Sequence, residues 1–248
     1  MTSKIQNQSA FVTGSNRGIG RALVEALLAR GAAKVYAAAR DTDSLSELVS
    51  QHPDRVVPVA LDVTDPQQVA AASDIAQDAS IVINNAGVLA GGDLVTGDLE
   101  GFRSEFEVNY WGPLYVTRAF APVLGRNGGG SLVTISSVAG LSNFPVIPSY
   151  SDSKAAAHSL IVGTRFALAA QGTTVIGVYP GPVDTEMAKG MEMPKATPAS
   201  VAETILDGIE NGTEDILPDA FAEGYQGPYE AGQKTLERRI TEMLSQPA

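Results

Sequence analysis

The sequence predicts an α/β protein built on one doubly wound parallel β-sheet with helices on both faces. Short apolar runs alternate with amphipathic stretches along the chain, and this alternation is typical of parallel strands connected by helices. No linker, repeat or low-complexity tract interrupts the 248 residues. We therefore expect residues 1–248 to form a single domain.

The first half of the chain contains four predicted strands, each ending in a turn. Their sequences are SAFVTG, AKVYAAAR, VVPVALDV and SIVINNAG. Helices are predicted between them in GIGRALVEALLARG, DSLSELVSQH and DPQQVAAASDIA. Leu23, Ala26 and Leu27 recur at helical spacing, and Gly31 is a typical helix stop. Pro66 suits the first position of a helix because no N–H is needed there.

The second half continues the alternation with longer helices. A long helix is predicted in FRSEFEVNYWGPLYVTRAFAPVL, which begins at Phe102, and the strand SLVTISS follows. A helix from about Ser149 to Ala170 leads to the strand TTVIGVYPG. The chain then contains a predicted helix in PASVAETILDGIEN, a short strand in EDILP and a polar helical tail in YEAGQKTLERRITEML.

The composition argues against several functional classes. With 28 acidic and 17 basic residues the net charge is −11, which disfavours nucleic-acid binding. The absence of cysteine excludes disulfides and thiolate chemistry, and His52 and His158 form no metal-ligand pattern. No apolar run reaches the roughly 18 residues of a membrane span, and the N-terminus lacks an apolar signal core. We therefore expect a cytoplasmic protein with no metal and no membrane or nucleic-acid partner.

A glycine-rich turn, VTGSNRGIG, stands between the first predicted strand and the first helix. Gly14, Gly18 and Gly20 permit a tight turn and a close approach of the backbone, and the free N–H groups of a helix N-terminus attract an anion. The spacing is G-x-x-x-G-x-G rather than the more familiar G-x-G-x-x-G. The position of the turn after a buried strand predicts a Rossmann-like dinucleotide site.

The residue that would bind the ribose 2′-hydroxyl of NAD is expected near Ala39, and no acidic residue stands there. Arg40 follows it, and Arg17 lies in the glycine turn. Two guanidinium groups would bind the 2′-phosphate of NADP, because arginine is always charged and can contact phosphate bidentately. We therefore expect NADP(H) in preference to NAD(H). The alternatives are that Arg40 pairs with Asp41 or Asp43 and that Arg17 caps a helix.

Tyr150 and Lys154 stand four residues apart in YSDSK, which places both side chains on one face of the predicted helix. Such a pair alone is common on a solvent-exposed helix. Ser137 ends a strand thirteen residues before Tyr150, so its hydroxyl can face the same cavity. Asn109 stands inside a helical pattern, where asparagine is intrinsically unfavourable.

Six short motifs occur in order along the chain: TGSNRGIG, NNAG, EVNYWGP, ISS, YSDSK and YPGPVDT. With them the sequence resembles the short-chain dehydrogenase/reductase family from about Ser9 to Met187. The resemblance implies an oxidoreductase that moves a hydride between a nicotinamide cofactor and a carbonyl or alcohol. We expect an NADPH-dependent carbonyl reductase or alcohol dehydrogenase. A cofactor-binding sensor without turnover, and another reaction of the family such as epimerisation or dehydration, stay open as alternatives.

The resemblance also implies roles for individual residues. Ser137 would hydrogen-bond the substrate oxygen, and Tyr150 would exchange a proton with it. Lys154 would hold the nicotinamide ribose and favour the phenolate of Tyr150, and Asn109 would anchor a water relay to Lys154. The implied cofactor contacts, beside Tyr150 and Lys154, are Gly14, Ser15, Asn16, Arg17, Gly18, Ile19, Gly20, Arg40, Asp62, Val63, Asn85, Ala86, Gly87, Pro180, Gly181, Val183 and Thr185.

The substrate pocket is expected beside Ser137 and Tyr150, closed by a substrate loop over residues 184–200. The predicted lining is apolar and adaptable, and consists of Val138, Leu141, Phe144, Val146, Met187 and Met191. The hypothesis is a hydrophobic ketone or aldehyde as the small-molecule partner.

The end of the chain departs from the glycine-rich strand with which many family members finish and which helps to form a tetramer. Residues 214–248 instead form an atypical C-terminal extension. We expect a homodimer or homotetramer, with dimerisation through the helices around residues 103–124 and 150–170.

Overall fold

Seven parallel strands form one sheet in the computed structural model of the chain, which describes residues 5–232 and residue 235. The strands lie in the order β3-β2-β1-β4-β5-β6-β7. Their bounds are β1 Ser9–Thr13, β2 Lys34–Ala39, β3 Val56–Ala60, β4 Ala79–Asn84, β5 Ser131–Ile135, β6 Thr174–Val178 and β7 Asp215–Ile216. This doubly wound, Rossmann-like arrangement confirms the predicted fold class.

The helices and their connections place an apolar layer on each face of the sheet. Their bounds are α1 Gly18–Ala29, α2 Ser46–Gln51, α3 Pro66–Ile75, α4 Leu99–Phe106, α5 Gly112–Arg126, α6 Pro148–Leu168, α7 Pro198–Asn211, α8 Ala220–Glu223 and α9 Gln226–Glu230. Leu27 of α1 and Ile205 of α7 are fully buried in one cluster. Phe120 of α5 and Ile161 of α6 belong to the cluster on the other face. Strands covered on both faces explain why the sequence reads as continuous apolar runs.

Local signals in the sequence account for the helix ends. Asp65 accepts hydrogen bonds from the N–H groups of Gln67 and Gln68, and Pro66 opens α3 as predicted. Beyond the end of α1, Gly31 has a φ of +83°, a conformation that glycine adopts without a steric cost.

The long helix predicted from Phe102 differs from the observed helix in two ways. It begins three residues earlier, at Leu99, because the carboxylate of Asp98 accepts the N–H of Glu100. A π-helical turn at Glu107–Trp111 separates α4 from α5, and there the N–H of Gly112 bonds to the carbonyl of Glu107. Pro113 has no N–H to continue an ordinary α-helical ladder. The π turn is where Asn109 lies.

The chain after α7 is described only in part. β7 has two residues, and the short helices α8 and α9 follow it. The predicted polar helical tail lies outside the described residues beyond Gly232, apart from residue 235. Within the described part of the chain, no helix is both long enough and apolar enough to cross a membrane.

Candidate active site

A cavity of about 830 Å³ opens along the carboxyl ends of the strands. Its walls come from the segments that follow β1, β2, β3, β4, β5 and β6, together with the start of α6. In parallel sheets, ligands bind at this edge, where the direction of the strand order reverses. In this sheet the reversal lies between β1 and β4.

The glycine turn brings the N-terminus of α1 to the cavity. Gly14 and Gly18 have φ values of +66° and +54°, which side chains rarely tolerate. A Cβ on Gly20 would lie 2.1 Å from the carbonyl oxygen of Gly14, so the helix packs directly on the turn. Asn16, Arg17 and Ile19 line the cavity.

Two residues predicted as cofactor contacts do not line this cavity. Ser15 is fully buried, and its hydroxyl donates to the carbonyl of Val12 at 2.8 Å. Gly20 lies beneath the turn. Both residues shape the turn.

The end of β4 is tied to the glycine turn by hydrogen bonds. The side-chain amide of Asn85 donates to the backbone carbonyls of Thr13 and Gly14 at 2.8 and 3.1 Å. The hydroxyl of Thr13 accepts the N–H groups of Asn85 and Ala86, both at 3.0 Å. These bonds fix the segment that leads from Ala86 to Val88 along the cavity wall.

Arg17 and Arg40 are both exposed, and both line the cavity. Across residues 5–232 and 235, neither guanidinium forms an ion pair or a side-chain hydrogen bond. The alternative pairing of Arg40 is therefore not observed, and Asp41 instead accepts the N–H of Asp43 at 2.9 Å. These two cations beside the glycine turn supply the local positive site that an anionic ligand needs in this acidic protein.

The structure brings Ser137, Tyr150 and Lys154 together at the far end of the cavity. Ser137 accepts the N–H of Ala139 at 3.1 Å. The ammonium of Lys154 is buried, donates to the carbonyl of Ile135 at 3.0 Å and lies 5.5 Å from the centre of the Tyr150 ring. Tyr150 itself is half-buried.

Burial moves the pKa values of this pair in opposite directions. It raises the pKa of Tyr150, while hydrogen bonding to Ser137 acts the other way and the charge of Glu105 raises the pKa further. Burial lowers the pKa of Lys154 to about 8. In the protein alone, the phenol is therefore less acidic than free tyrosine, which is opposite to the effect expected of Lys154.

Asn109 is buried behind Tyr150 and Lys154, and both polar atoms of its side-chain amide form hydrogen bonds. Its amide nitrogen donates to the carbonyl of Val88 at 2.9 Å and to the hydroxyl of Ser153 at 3.0 Å. Its oxygen accepts the N–H of Val88 at 2.9 Å. Asn109 thus joins the π turn to the segment after β4 and to α6, although it does not line the cavity.

Glu105 is a fully buried acid that the sequence patterns did not single out. One carboxylate oxygen accepts the N–H groups of Ala90 and Gly91, both at 2.9 Å. The other oxygen has no hydrogen-bond partner among the described residues. Its position four residues before Asn109, on the same helical face, is the signal that could have identified it.

The substrate end of the cavity is apolar. Of the predicted residues, Val138, Phe144, Val146, Met187 and Met191 line it. Leu141 does not. It follows the turn Val138–Gly140 and is buried in a cluster with Tyr179 and Ala222. The prediction missed Leu89 and Phe221, which also line the cavity.

The remaining cofactor residues predicted from the sequence stand along the same wall. Those that line the cavity are Gly14, Gly18, Asp62, Val63, Asn85, Ala86, Gly87, Pro180, Gly181, Val183 and Thr185. They follow strands β1, β3, β4 and β6. The fold and this cavity define a nucleotide-binding α/β protein with acid–base side chains at one end.

Comparison with known proteins gives the family. A profile described as short chain dehydrogenase matches residues 8–195. Oxidoreductase BOA17 of Botryotinia fuckeliana is 32% identical over 224 residues, which cover 86% of this chain and 81% of that protein. The chain belongs to the short-chain dehydrogenase family, and it is an oxidoreductase with a nucleotide-cofactor site.

Two solved structures extend the comparison over nearly the whole chain. A short chain dehydrogenase from Burkholderia cenocepacia in complex with NADP is 38% identical, with a TM-score of 0.90 and coverage of 98% of this chain and 100% of that one. A short chain dehydrogenase/reductase from Burkholderia phymatum in complex with NAD is 26% identical, with a TM-score of 0.81 and coverage of 99% and 98%. The fold therefore accepts either dinucleotide.

Proposed function

We propose that the protein is an NADPH-dependent carbonyl reductase or alcohol dehydrogenase that acts on a hydrophobic ketone or aldehyde. The observation that carries the proposal is the convergence of Ser137, Tyr150 and Lys154 on a cavity whose other end is the glycine turn. A bound nicotinamide would supply or accept the hydride, and Tyr150 would donate or accept the proton.

The cofactor end fits NADP(H). The backbone N–H groups at the start of α1 would hold the pyrophosphate, and Asp62 and Val63 would flank the adenine. Arg17 and Arg40, both unpaired among the described residues, would bind the 2′-phosphate. The NADP complex of the Burkholderia cenocepacia relative supports this preference.

The reacting end holds and delivers a proton. Because burial raises its pKa, Tyr150 keeps its proton at neutral pH and can donate it to a carbonyl oxygen. The hydroxyl of Ser137 would donate a second hydrogen bond to that oxygen and stabilise the developing alkoxide. Asn109 holds α6, which carries both Tyr150 and Lys154, against the segment after β4.

The substrate class follows from the lining. The basic residues that line the cavity are Arg17, Arg40 and Lys154, and all three are assigned to the cofactor end or the proton transfer. Lys189, in the proposed substrate loop 184–200, pairs with Glu186 at 3.1 Å. Among the residues that the structure describes, no cation lines the substrate end to bind a carboxylate, which favours a neutral apolar carbonyl compound.

A substrate panel tests the proposed function. NADPH oxidation would be followed spectrophotometrically with aryl ketones, aliphatic ketones, aldehydes, charged sugars and acyl thioesters, with NADH in parallel. We expect turnover of the hydrophobic carbonyls with NADPH. NADPH binding without turnover of any compound would indicate a sensor, and turnover of only the charged compounds would refute the substrate class.

The oligomeric state is a separate proposal. Phe106 of α4, Trp111 of the π turn and Phe166 of α6 are large apolar side chains that are 37%, 39% and 81% exposed, and exposed apolar side chains that cluster on one face can mark an interface. We propose that α4, α5 and α6 meet a second copy in a homodimer. A cytoplasmic location stays a prediction from the sequence.

A further inference from the structure

Residues 217–225, which follow β7, fold back over the carboxyl end of β6. We refer to them as the 217–225 segment. They belong to the atypical C-terminal extension, whose role the sequence patterns do not predict. The segment contains α8 and reaches the cavity through Phe221.

Asp219 connects this segment to the loop after β6. One carboxylate oxygen accepts the N–H of Gly181 at 2.8 Å, and the other accepts the N–H of Ala222 at 2.9 Å. The side chain is buried, at 9% exposure, and no described Lys or Arg pairs with it. Both oxygens of this buried carboxylate therefore accept hydrogen bonds from the backbone. One of the two donors, Gly181, is 38 residues away from Asp219 in the sequence. Charge-assisted bonds of this kind are among the stronger hydrogen bonds in proteins.

Phe221 lies directly against the same loop. A Cβ on Gly181 would stand 2.6 Å from a ring carbon of Phe221 and 2.8 Å from a carboxylate oxygen of Asp219. Only the absence of a side chain at Gly181 lets the 217–225 segment approach so closely. The ring of Phe221 thereby becomes part of the cavity wall beside Pro180 and Gly181.

An aromatic row continues from Phe221 across the substrate end. The ring centres of Phe221 and Tyr225 are 5.3 Å apart, and those of Tyr225 and Phe144 are 5.7 Å apart. Phe144 also lines the cavity, on the segment before α6. Tilted aromatic contacts at these distances are favourable and restrict ring motion. The cavity wall therefore contains two aromatic rings held in fixed positions by a third.

We propose that Phe221 is a specificity-determining residue that selects carbonyl compounds bearing a flat ring. Asp219 is a positioning residue that holds Phe221 and the loop at Gly181 together. The inference rests on the proposed function and deepens it, because it assigns the substrate class to an aryl ketone or aldehyde. Atoms of a flat substrate ring gain contact with an aromatic wall that a linear chain does not match.

The first test compares acetophenone with 2-octanone, two ketones of equal carbon number. We expect the wild-type protein to prefer acetophenone. Phe221→Ala should lower the ratio of the two kcat/KM values about tenfold, through KM for acetophenone, with the KM for NADPH unchanged. Phe221→Tyr keeps the ring and should keep the preference.

An unchanged ratio in Phe221→Ala, with the wild-type protein active, would overturn the assignment of Phe221 and leave the proposed function intact. Absence of turnover by the wild-type protein on the whole carbonyl panel would overturn both. The activity of the wild-type protein on the panel therefore shows whether the proposed function fails or only the assignment of Phe221.

The second test has a first readout, hydrogen exchange, that needs no turnover. Asp219→Asn replaces one of the two acceptor oxygens with an N–H₂ group, and Asp54→Asn, at an exposed acid far from the segment, is the matched control. In the cofactor-free protein we expect faster hydrogen exchange at Gly181 and Ala222 in Asp219→Asn only, with exchange in β1 unchanged. The KM for acetophenone should rise more than kcat falls. Unchanged exchange at both amides would overturn the positioning role.

Discussion

The ammonium of Lys154 lies 5.5 Å from the centre of the Tyr150 ring and donates its hydrogen bond to the carbonyl of Ile135 at 3.0 Å. The two groups share a face of α6 and are one turn apart. Burial lowers the pKa of Lys154 to about 8 and raises the pKa of Tyr150. In the protein alone, the pair therefore favours a proton on the phenol, which suits carbonyl reduction at neutral pH.

Removal of the phenol tests this assignment. Tyr150→Phe should lower kcat for ketone reduction by about 10²–10⁴, the usual contribution of a positioned acid, because the variant lacks the hydroxyl assigned to donate this proton. NADPH binding, measured by fluorescence titration, should remain. Tyr110→Phe, which removes a phenol outside the cavity, should leave both quantities unchanged. A wild-type rate in Tyr150→Phe would refute the role of Tyr150.

Arg17 and Arg40, which have no ion-pair partner in the described part of the chain, lead to a prediction about cofactor preference. Arg17→Ala and Arg40→Ala should each lower kcat/KM for NADPH about tenfold or more, because each removes a charge-assisted contact with the 2′-phosphate. Values with NADH should change little. Arg118→Ala, at an exposed arginine of α5, is the matched control. Equal use of NADH and NADPH by the wild-type protein would contradict the preference.

Much of the fold could be predicted because its causes are local in sequence. Strands covered on both faces must be apolar throughout, and the turn at Gly14 and Gly18 needs the positive φ values that glycine allows. Tyr150 and Lys154 were placed correctly on one helical face because the helical period fixes that relationship.

The unpredicted parts depend on contacts between distant segments. Asp219 accepts a hydrogen bond from Gly181, 38 residues earlier in the sequence, and this contact places Phe221 in the cavity wall. Phe221 lies in a polar part of the sequence, which does not predict this position. Leu141 looked equivalent to Val138 in sequence, and both pack in the same buried cluster, but only Val138 also lines the cavity. The π turn at Asn109 arises because Pro113, four residues later, has no N–H for an α-helical hydrogen bond. The apolar periodicity of the sequence does not reveal this effect.

The depressed pKa of Lys154 predicts a pH dependence of stability. Below about pH 8 the lysine is charged in both states, and the folded state bears the full cost of burying the charge. Between about pH 8 and 10.4 the folded protein loses the proton while the unfolded chain keeps it, so the free energy of unfolding rises with pH.

Lys154→Met removes the titrating group and isolates this effect. From about pH 7 to about 9.5, the free energy of unfolding of the wild-type protein should rise relative to that of the variant by about 2 kcal/mol. Urea denaturation of the cofactor-free proteins at both pH values measures it. Lys189→Met, at a lysine whose side chain is 75% exposed, should show no such change. A constant difference between wild type and Lys154→Met would mean that Lys154 keeps an ordinary pKa.

Substitutions of Glu105 can distinguish its structural contribution to stability from its electrostatic effect on Tyr150, because its two oxygens have different surroundings. One oxygen accepts the N–H groups of Ala90 and Gly91, and the other is buried without a hydrogen-bond partner among the described residues. Glu105→Gln keeps an acceptor for both N–H groups and removes the charge. Glu105→Ala removes the acceptor, so both N–H groups lose their hydrogen bond to a carboxylate.

We therefore expect Glu105→Ala to lower the free energy of unfolding by about 2–3 kcal/mol and Glu105→Gln to change it by less than about 1 kcal/mol. The charge of Glu105 raises the pKa of Tyr150, so Glu105→Gln should move the ascending limb of the kcat–pH profile for alcohol oxidation, where Tyr150 must be ionised, to lower pH. The pH profile reports the charge, and urea denaturation reports the hydrogen bonds. Equal stability of the two variants would contradict the structural contribution, and an unmoved profile in Glu105→Gln would contradict the electrostatic one.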